Sequence, residues 1–134
     1  MLTYLCVLES RLQVDSGIGS FVDSYFEYLW KAYILFEHPD DLIMWTELYT
    51  IVEKRIRHGP WYIEAHMKTG QWTWPAFSSL QGFWPGLLAT WGASSDAAQT
   101  MTSFFSLWQA YGFAPERYDL LKVGSYCMTS SLFR

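Results

Sequence analysis

Asp23 and Glu27 stand four residues apart in a segment, Ser20 to about Phe36, that is otherwise apolar almost all round. Residues at that spacing share a helix face, and like charges there repel. A carboxylate held among apolar side chains costs free energy unless it is paired or hydrogen-bonded. Two of them therefore point to a polar cavity that holds water, a sugar or a metal. A second reading needs no cavity: Asp23 completes a capping box with Ser20, and Glu27 pairs with Lys31 along the same stripe. Glu116 follows Ala114-Pro115, where the fixed geometry of proline can hold a carboxylate at a cavity rim. A loop Glu beside Arg117 is more often a solvated surface residue.

The remaining chemistry-bearing residue types narrow the field. Eight Trp in 134 residues supply flat apolar faces for sugar rings, Trp61, Trp72, Trp74 and Trp84 above all, although core packing accounts for most of them as well. His38, His58 and His66 lack ligand spacing, and His58 reads as a helix-end cation. No nucleophile elbow, phosphate-binding loop or dinucleotide fingerprint occurs. Nine Lys plus Arg against thirteen Asp plus Glu give a net charge of -4 with no basic patch, which argues against nucleic acid as a partner. Cys6 and Cys127, near opposite ends, form neither a metal-type spacing nor a redox pair. No apolar run approaches the length of a membrane span, and the opening MLTYLCVLES lacks the basic region and cleavage site of a signal peptide.

The elements that must position these residues are mostly helical. Gly17 and Gly19 read as a flexible entry, with Ser20 as N-cap, to a buried helix running from Ser20 to about Phe36 with one narrow polar stripe. A second helix starts at Pro39, carries Asp40 and Asp41 in its first turn and ends among Lys54, Arg55, Arg57 and His58 before Gly59. Its buried stripe is Trp45, Leu48, Tyr49, Val52 and Ile56. The period then changes: Ile63, Ala65 and Met67 alternate with Tyr62, Glu64 and His66, and Lys68-Thr69-Gly70 leads into Gln71–Trp74, which predicts a β-hairpin. A helix is expected from about Ala76 to Phe83, interrupted at Trp84-Pro85-Gly86 and resuming to Trp91. A last helix, capped by Ser94 or Ser95, has the stripe Ala97, Ala98, Met101, Phe104, Phe105, Trp108 and Tyr111 and ends at Gly112. From Leu121 no period is visible. About half the residues are apolar, enough for one core, and neither disorder nor an internal repeat is expected.

Three strings, DSGIGSFVDSYFEYLWKAYILF, SSLQGFWPGLLATWG and LWQAYGFAPERYDL, in this order and spacing, resemble glycoside hydrolase family 47, the class I α-1,2-mannosidases, over about residues 15–120. The signature Gly-x-Gly-x-x-x-Asp-Ser-x-x-Glu-Tyr is filled by Gly17, Gly19, Asp23, Ser24, Glu27 and Tyr28. Ser79-Leu80-Gln81 ahead of Phe83-Trp84-Pro85-Gly86 resembles the ER degradation-enhancing branch, since processing mannosidases usually carry His where Ser79 stands. The resemblance implies an all-α fold, here an incomplete arc of an (α/α) helical barrel with one β-hairpin insert. It also implies inverting hydrolysis of α-1,2-linked mannose in a cavity where a calcium ion holds the sugar. By the same resemblance Asp23 and Glu116 are catalytic carboxylates and Glu27 binds substrate.

The departures bear on the reading. The family's upstream proton-donor Glu and its later Leu-Arg-Pro-Glu segment and calcium-site Thr have no counterpart in these 134 residues, so the calcium ligands are absent and no metal-binding residue is assigned. Phe21 stands where the family commonly has a small residue. The expectation is a single partial domain over residues 1–134, with a divergent tail from 121 to 134. This fragment would be inactive alone and belong to an enzyme of the endoplasmic reticulum lumen that trims high-mannose N-glycans on misfolded glycoproteins for degradation. The alternatives are a mannose-glycan-binding quality-control factor without turnover and a plain helical interaction domain.

Overall fold

The computed structural model describes residues 14–19 and 22–121. The expected N-cap Ser20, and with it the capping box, lies outside the described residues, as do Phe21, both cysteines and the tail from residue 122. Four α-helices carry the architecture: α1 (Asp23–Phe36), α2 (Pro39–Arg55), α3 (Trp84–Trp91) and α4 (Ser94–Tyr111). Seven short strands form three small antiparallel sheets between and beside them, β1 (Asp15–Ser16), β2 (Arg57–His58), β3 (Trp61–Tyr62), β4 (Glu64–His66), β5 (Trp72–Trp74), β6 (Ala76–Ser78) and β7 (Arg117–Asp119). The mainly helical composition agrees with the sequence, and the predicted hairpin is present as β4–β5, with Ala65 opposite Trp72.

The sheets go beyond a single hairpin. Asp15 pairs with His66 and Ser16 with Ala65, so β1 adds a third strand to the hairpin and the chain enters α1 from a sheet edge. Gly17 is therefore no flexible entry: a Cβ there would stand 3.0 Å from Glu64 Cγ, a tight approach that another residue could make only by pushing the Glu64 side chain aside. Residues 76–78 form β6, pairing with β7 in the register Ala76 to Asp119 and Ser78 to Arg117, where a helix was expected. The local pattern offered too few residues to separate a strand from a helix, and the partner lies about forty positions away. A 3-10 helix (Ser79–Phe83) follows, started by the Ser78 hydroxyl accepting from Leu80 N–H. Trp84-Pro85 then begins α3 rather than interrupting a helix, because proline in a first turn has no hydrogen bond to lose.

The Pro39 start, the acidic first turn and the Lys54-Arg55 end of α2 are as the sequence predicts. Arg57 and His58 instead form β2, so His58 is not a helix-end cation; its ring lies edge-on to Trp72, with centroids 4.6 Å apart. The main core joins Phe26, Leu29 and Trp30 of α1 to Trp45, Leu48 and Val52 of α2, to Ile56 and Tyr62, and to Trp84, Leu87 and Leu88. Trp84 is fully buried against the rings of Phe26, Trp45 and Tyr62. A second cluster gathers Phe77, Phe104 and Leu107 around Trp61.

Two helices bury less than their composition suggests. In α1 only Phe26, Leu29 and Trp30 are buried, whereas Tyr28, Ile34, Leu35 and Phe36 are exposed. In α4 the buried seam is Ala97, Thr100, Phe104 and Leu107; Ala98, Met101, Phe105, Trp108 and Tyr111, all in the expected stripe, face outward. The apolar stripe of α4 is wider than the surface that α3 and the β6–β7 sheet cover.

Candidate functional site

Asp23 opens α1 half-buried, with its backbone N–H bonded to Gly19 O at 3.1 Å. One carboxylate oxygen, Oδ1, accepts from Ser24 N–H at 2.9 Å, which leaves Oδ2 without a hydrogen bond among the described residues. Glu27 lies one turn on and accepts from Lys31 Nζ at 2.8 Å in a pair open to solvent, where exposed ion pairs contribute little stability. Hydrogen bonding to Glu27 raises the Lys31 ammonium above its ordinary value. The i,i+4 pairing is the one that spacing alone allows for Glu27. Glu116 is exposed in the bend before β7.

The segments bearing Asp23 and Glu116 are fastened to the same short element. Ser79 N–H donates to Glu116 O at 3.1 Å, which ties the Glu116 loop to the start of the 3-10 helix. Two residues on, Gln81 is buried, donates from Nε2 to Tyr62 O at 3.2 Å and lies against Gly19, four residues before Asp23. Ser79-Leu80-Gln81 thus connects both candidate carboxylate segments to the aromatic core. Its role could not be read from helical periodicity, because the residues act through backbone and amide contacts to partners far along the chain.

A polar cluster around Arg57 holds the frame. Arg57 donates from Nη1 to Glu53 at 2.5 Å, from Nη2 to Asp96 at 2.6 Å and from Nε to Gly59 O at 3.0 Å, linking α2, the β2–β3 turn and the start of α4. The Tyr62 hydroxyl adds a 3.1 Å bond to Glu53. The hydrogen bond to Asp96 raises the Arg57 guanidinium above its ordinary value, and burial raises the Tyr62 phenol.

A small cleft, partly open to solvent, lies between the β4–β5 hairpin and the β6–β7 sheet, lined by Glu64, Trp74, Ala76, Phe77, Ser78 and Arg117. Asp23, Glu27 and Glu116 do not line it. Of the four Trp read as sugar platforms, Trp72 and Trp74 are half-exposed, whereas Trp84 is in the main core and Trp61 packs on Phe77 and Phe104. Burial, reinforced by the charge of Asp15, raises the Glu64 carboxyl above its ordinary value, and Arg117 opposes the shift. Nothing in the periodicity marked Glu64, which reads as an outward strand position. Among the described residues no group of three or more His, Cys, Asp or Glu side chains converges as a metal ion would need from such donors.

The sequence profile of glycosyl hydrolase family 47 matches residues 4–130. The chain belongs to that family. An Arabidopsis thaliana protein named alpha-mannosidase I MNS4 is 45% identical over 108 residues, 81% of this chain and 17% of the relative. The human ER degradation-enhancing alpha-mannosidase-like protein 2 is 36% identical over 106 residues, 79% of this chain and 18% of the relative. A Saccharomyces cerevisiae ER degradation-enhancing alpha-mannosidase-like protein 1 is 30% identical over 104 residues, covering 78% of this chain and 13% of the relative. The chain thus spans less than a fifth of the length of these curated relatives. No described helix is long and apolar enough to cross a membrane.

Proposed function

We propose that this chain of family 47 forms part of the glycan cavity of an inverting α-1,2-mannosidase that trims N-glycans of misfolded glycoproteins in the endoplasmic reticulum lumen. The observation that carries the reading is the signature Asp-Ser-x-x-Glu-Tyr at the start of α1, with Asp23 half-buried and one carboxylate oxygen free. The common anchoring of the Asp23 and Glu116 segments on Ser79 and Gln81 supports their working as one site. Inverting glycosidases use one carboxylic acid to protonate the leaving oxygen and one carboxylate to activate water across the ring, about 6.5–9.5 Å apart. Asp23 and Glu116 are the carboxylates assigned to that chemistry here, with Glu27 toward the sugar. The several exposed apolar residues of α1 and α4 support an arc of a larger helical barrel, because so many outward apolar side chains on two helices are normally covered.

A chimera in which residues 15–120 replace the matching segment of the Arabidopsis relative tests this. Mannose release from α-1,2-mannobiose is measured with and without Asp23→Asn. A catalytic Asp23 predicts a fall of at least about 100-fold with mannobiose binding retained, since the amide can neither take up a proton nor carry the charge that activates water. A capping Asp23 predicts near-normal release and a stability change of about 1 kcal/mol or less, because Asn caps nearly as well. Binding without release in the unsubstituted chimera favours the quality-control factor that lacks turnover.

A further inference from the structure

We propose that the cleft between the β4–β5 hairpin and the β6–β7 sheet is a saccharide subsite, in which Glu64 accepts and Arg117 donates hydrogen bonds to hydroxyls of one neutral hexose while Trp74 supplies an apolar face. The inference rests on the glycan-directed reading above and adds residues that neither the signature nor the three candidate carboxylates contain. Its first ground is geometric. The cleft is walled by Glu64 and Trp74 on one side and by Ala76, Phe77, Ser78 and Arg117 on the other and is partly open to solvent, so a single sugar unit of a longer glycan would sit across its mouth with its ring against Trp74.

The second ground is the state of its polar groups. No hydrogen bond or ion pair joins the Glu64 carboxylate or the Arg117 guanidinium to another described side chain. A half-buried carboxylate that accepts no hydrogen bond is costly unless something supplies donors, and Arg117 offsets that cost only through its charge. The Arg117 guanidinium lies over one side of the Trp74 ring, 5.4 Å from its centroid, which places its N–H donors at the cleft while the indole stays half-exposed. The charge pattern selects the ligand class. Glu64 with Asp15 nearby repels an anion, Arg117 repels a cation, and a neutral polyol uses both the acceptor and the donors.

The third ground is that the carboxylate is held in place. Gly17 passes so close under Glu64 that an added Cβ would stand 3.0 Å from Cγ, and Gly17 directly follows β1, whose Asp15 and Ser16 pair with β4. The side chain therefore rests on the segment that leads into α1 and Asp23, and the Ser78–Arg117 pairing puts the opposite wall next to the Glu116 bend. A sugar in this cleft would lie beside the segments of both candidate carboxylates.

The test is a titration of the 134-residue chain with α-1,2-mannobiose and, separately, with maltose, following the Trp74 indole N–H in proton–nitrogen spectra. The expected result is a shift of the Trp74 signal with mannobiose and a loss of affinity of at least about tenfold in both Glu64→Gln and Trp74→Ala, with unchanged circular dichroism. If Trp74→Ala does not fold, the near-isosteric Glu64→Gln and the wild-type Trp74 signal decide alone. Mannobiose binding that leaves Trp74 unmoved and changes less than about threefold in Glu64→Gln overturns the subsite while leaving the Asp23 and Glu116 reading intact. Absence of any binding by the wild-type chain up to about 50 mM sugar also overturns it, since that is weaker than a useful subsite. Equal binding of both sugars at Trp74, lost in Glu64→Gln, upholds the subsite and counts against the mannose reading of the whole protein.

Discussion

Replacing Arg57 with Met removes a side chain that ties α2, the β2–β3 turn and α4 together, at nearly constant length and with its apolar stem kept. An exposed ion pair in its place would contribute about 0–1 kcal/mol. Here the Arg57 and Glu53 side chains are only about one-fifth exposed and Asp96 about one-third, with N···O distances of 2.5 and 2.6 Å. Breaking a fully buried pair costs about 3–5 kcal/mol, and a hydrogen bond to a charged group contributes about 1.5–3 kcal/mol. Glu53 keeps the Tyr62 hydroxyl as a donor, and Asp96 can reach water, so the deficit is only partly felt. The expected loss is about 2–3 kcal/mol. Urea unfolding followed by circular dichroism reads this as a midpoint lowered by about 0.7–3 M for a slope of about 1–3 kcal/mol per M. Salt should move the wild-type midpoint little, because shielded pairs are poorly screened. Adding Glu53→Met should recover part of the loss by removing the carboxylate left behind. A loss below about 0.5 kcal/mol, or a double variant no better than Arg57→Met, would show that the cluster behaves as a surface pair and does not hold the frame.

Glu64 sets a pH dependence. Its folded-state carboxyl is raised above the ordinary value near 4.5, so the folded chain binds the extra proton and stability falls as pH rises from about 4.5 through the folded-state value. Glu64→Gln should therefore flatten the stability profile just above pH 4.5 and leave the chain more stable than wild type at neutral pH; an unchanged slope would show that burial does not act on this carboxyl. The two signature glycines should separate in thermal unfolding. Gly17→Ala forces Glu64 aside and destabilises by about 1 kcal/mol or more, whereas Gly19→Ala, whose Cβ would meet Gln81 Cγ at an ordinary 3.5 Å, changes stability by less than about 0.5 kcal/mol. Equal effects at the two positions would mean that Glu64 does not rest on Gly17.

The chain's order of residues determined the family signature, the start of α2 at Pro39 with its acidic first turn, the buried stripe of Trp45, Leu48, Val52 and Ile56, the β4–β5 hairpin, and the left-handed stop of α4 at Gly112. These features are local: a cap, a period or a turn is written within a few residues. The exposure of Met101, Phe105 and Trp108, the strand at residues 76–78, the burial of Glu64 over Gly17 and the joint anchoring of the Asp23 and Glu116 segments were decided by the tertiary structure. Periodicity shows which side chains share a face. Which face is covered, and which carboxylate loses its water, depends on contacts between segments tens of residues apart.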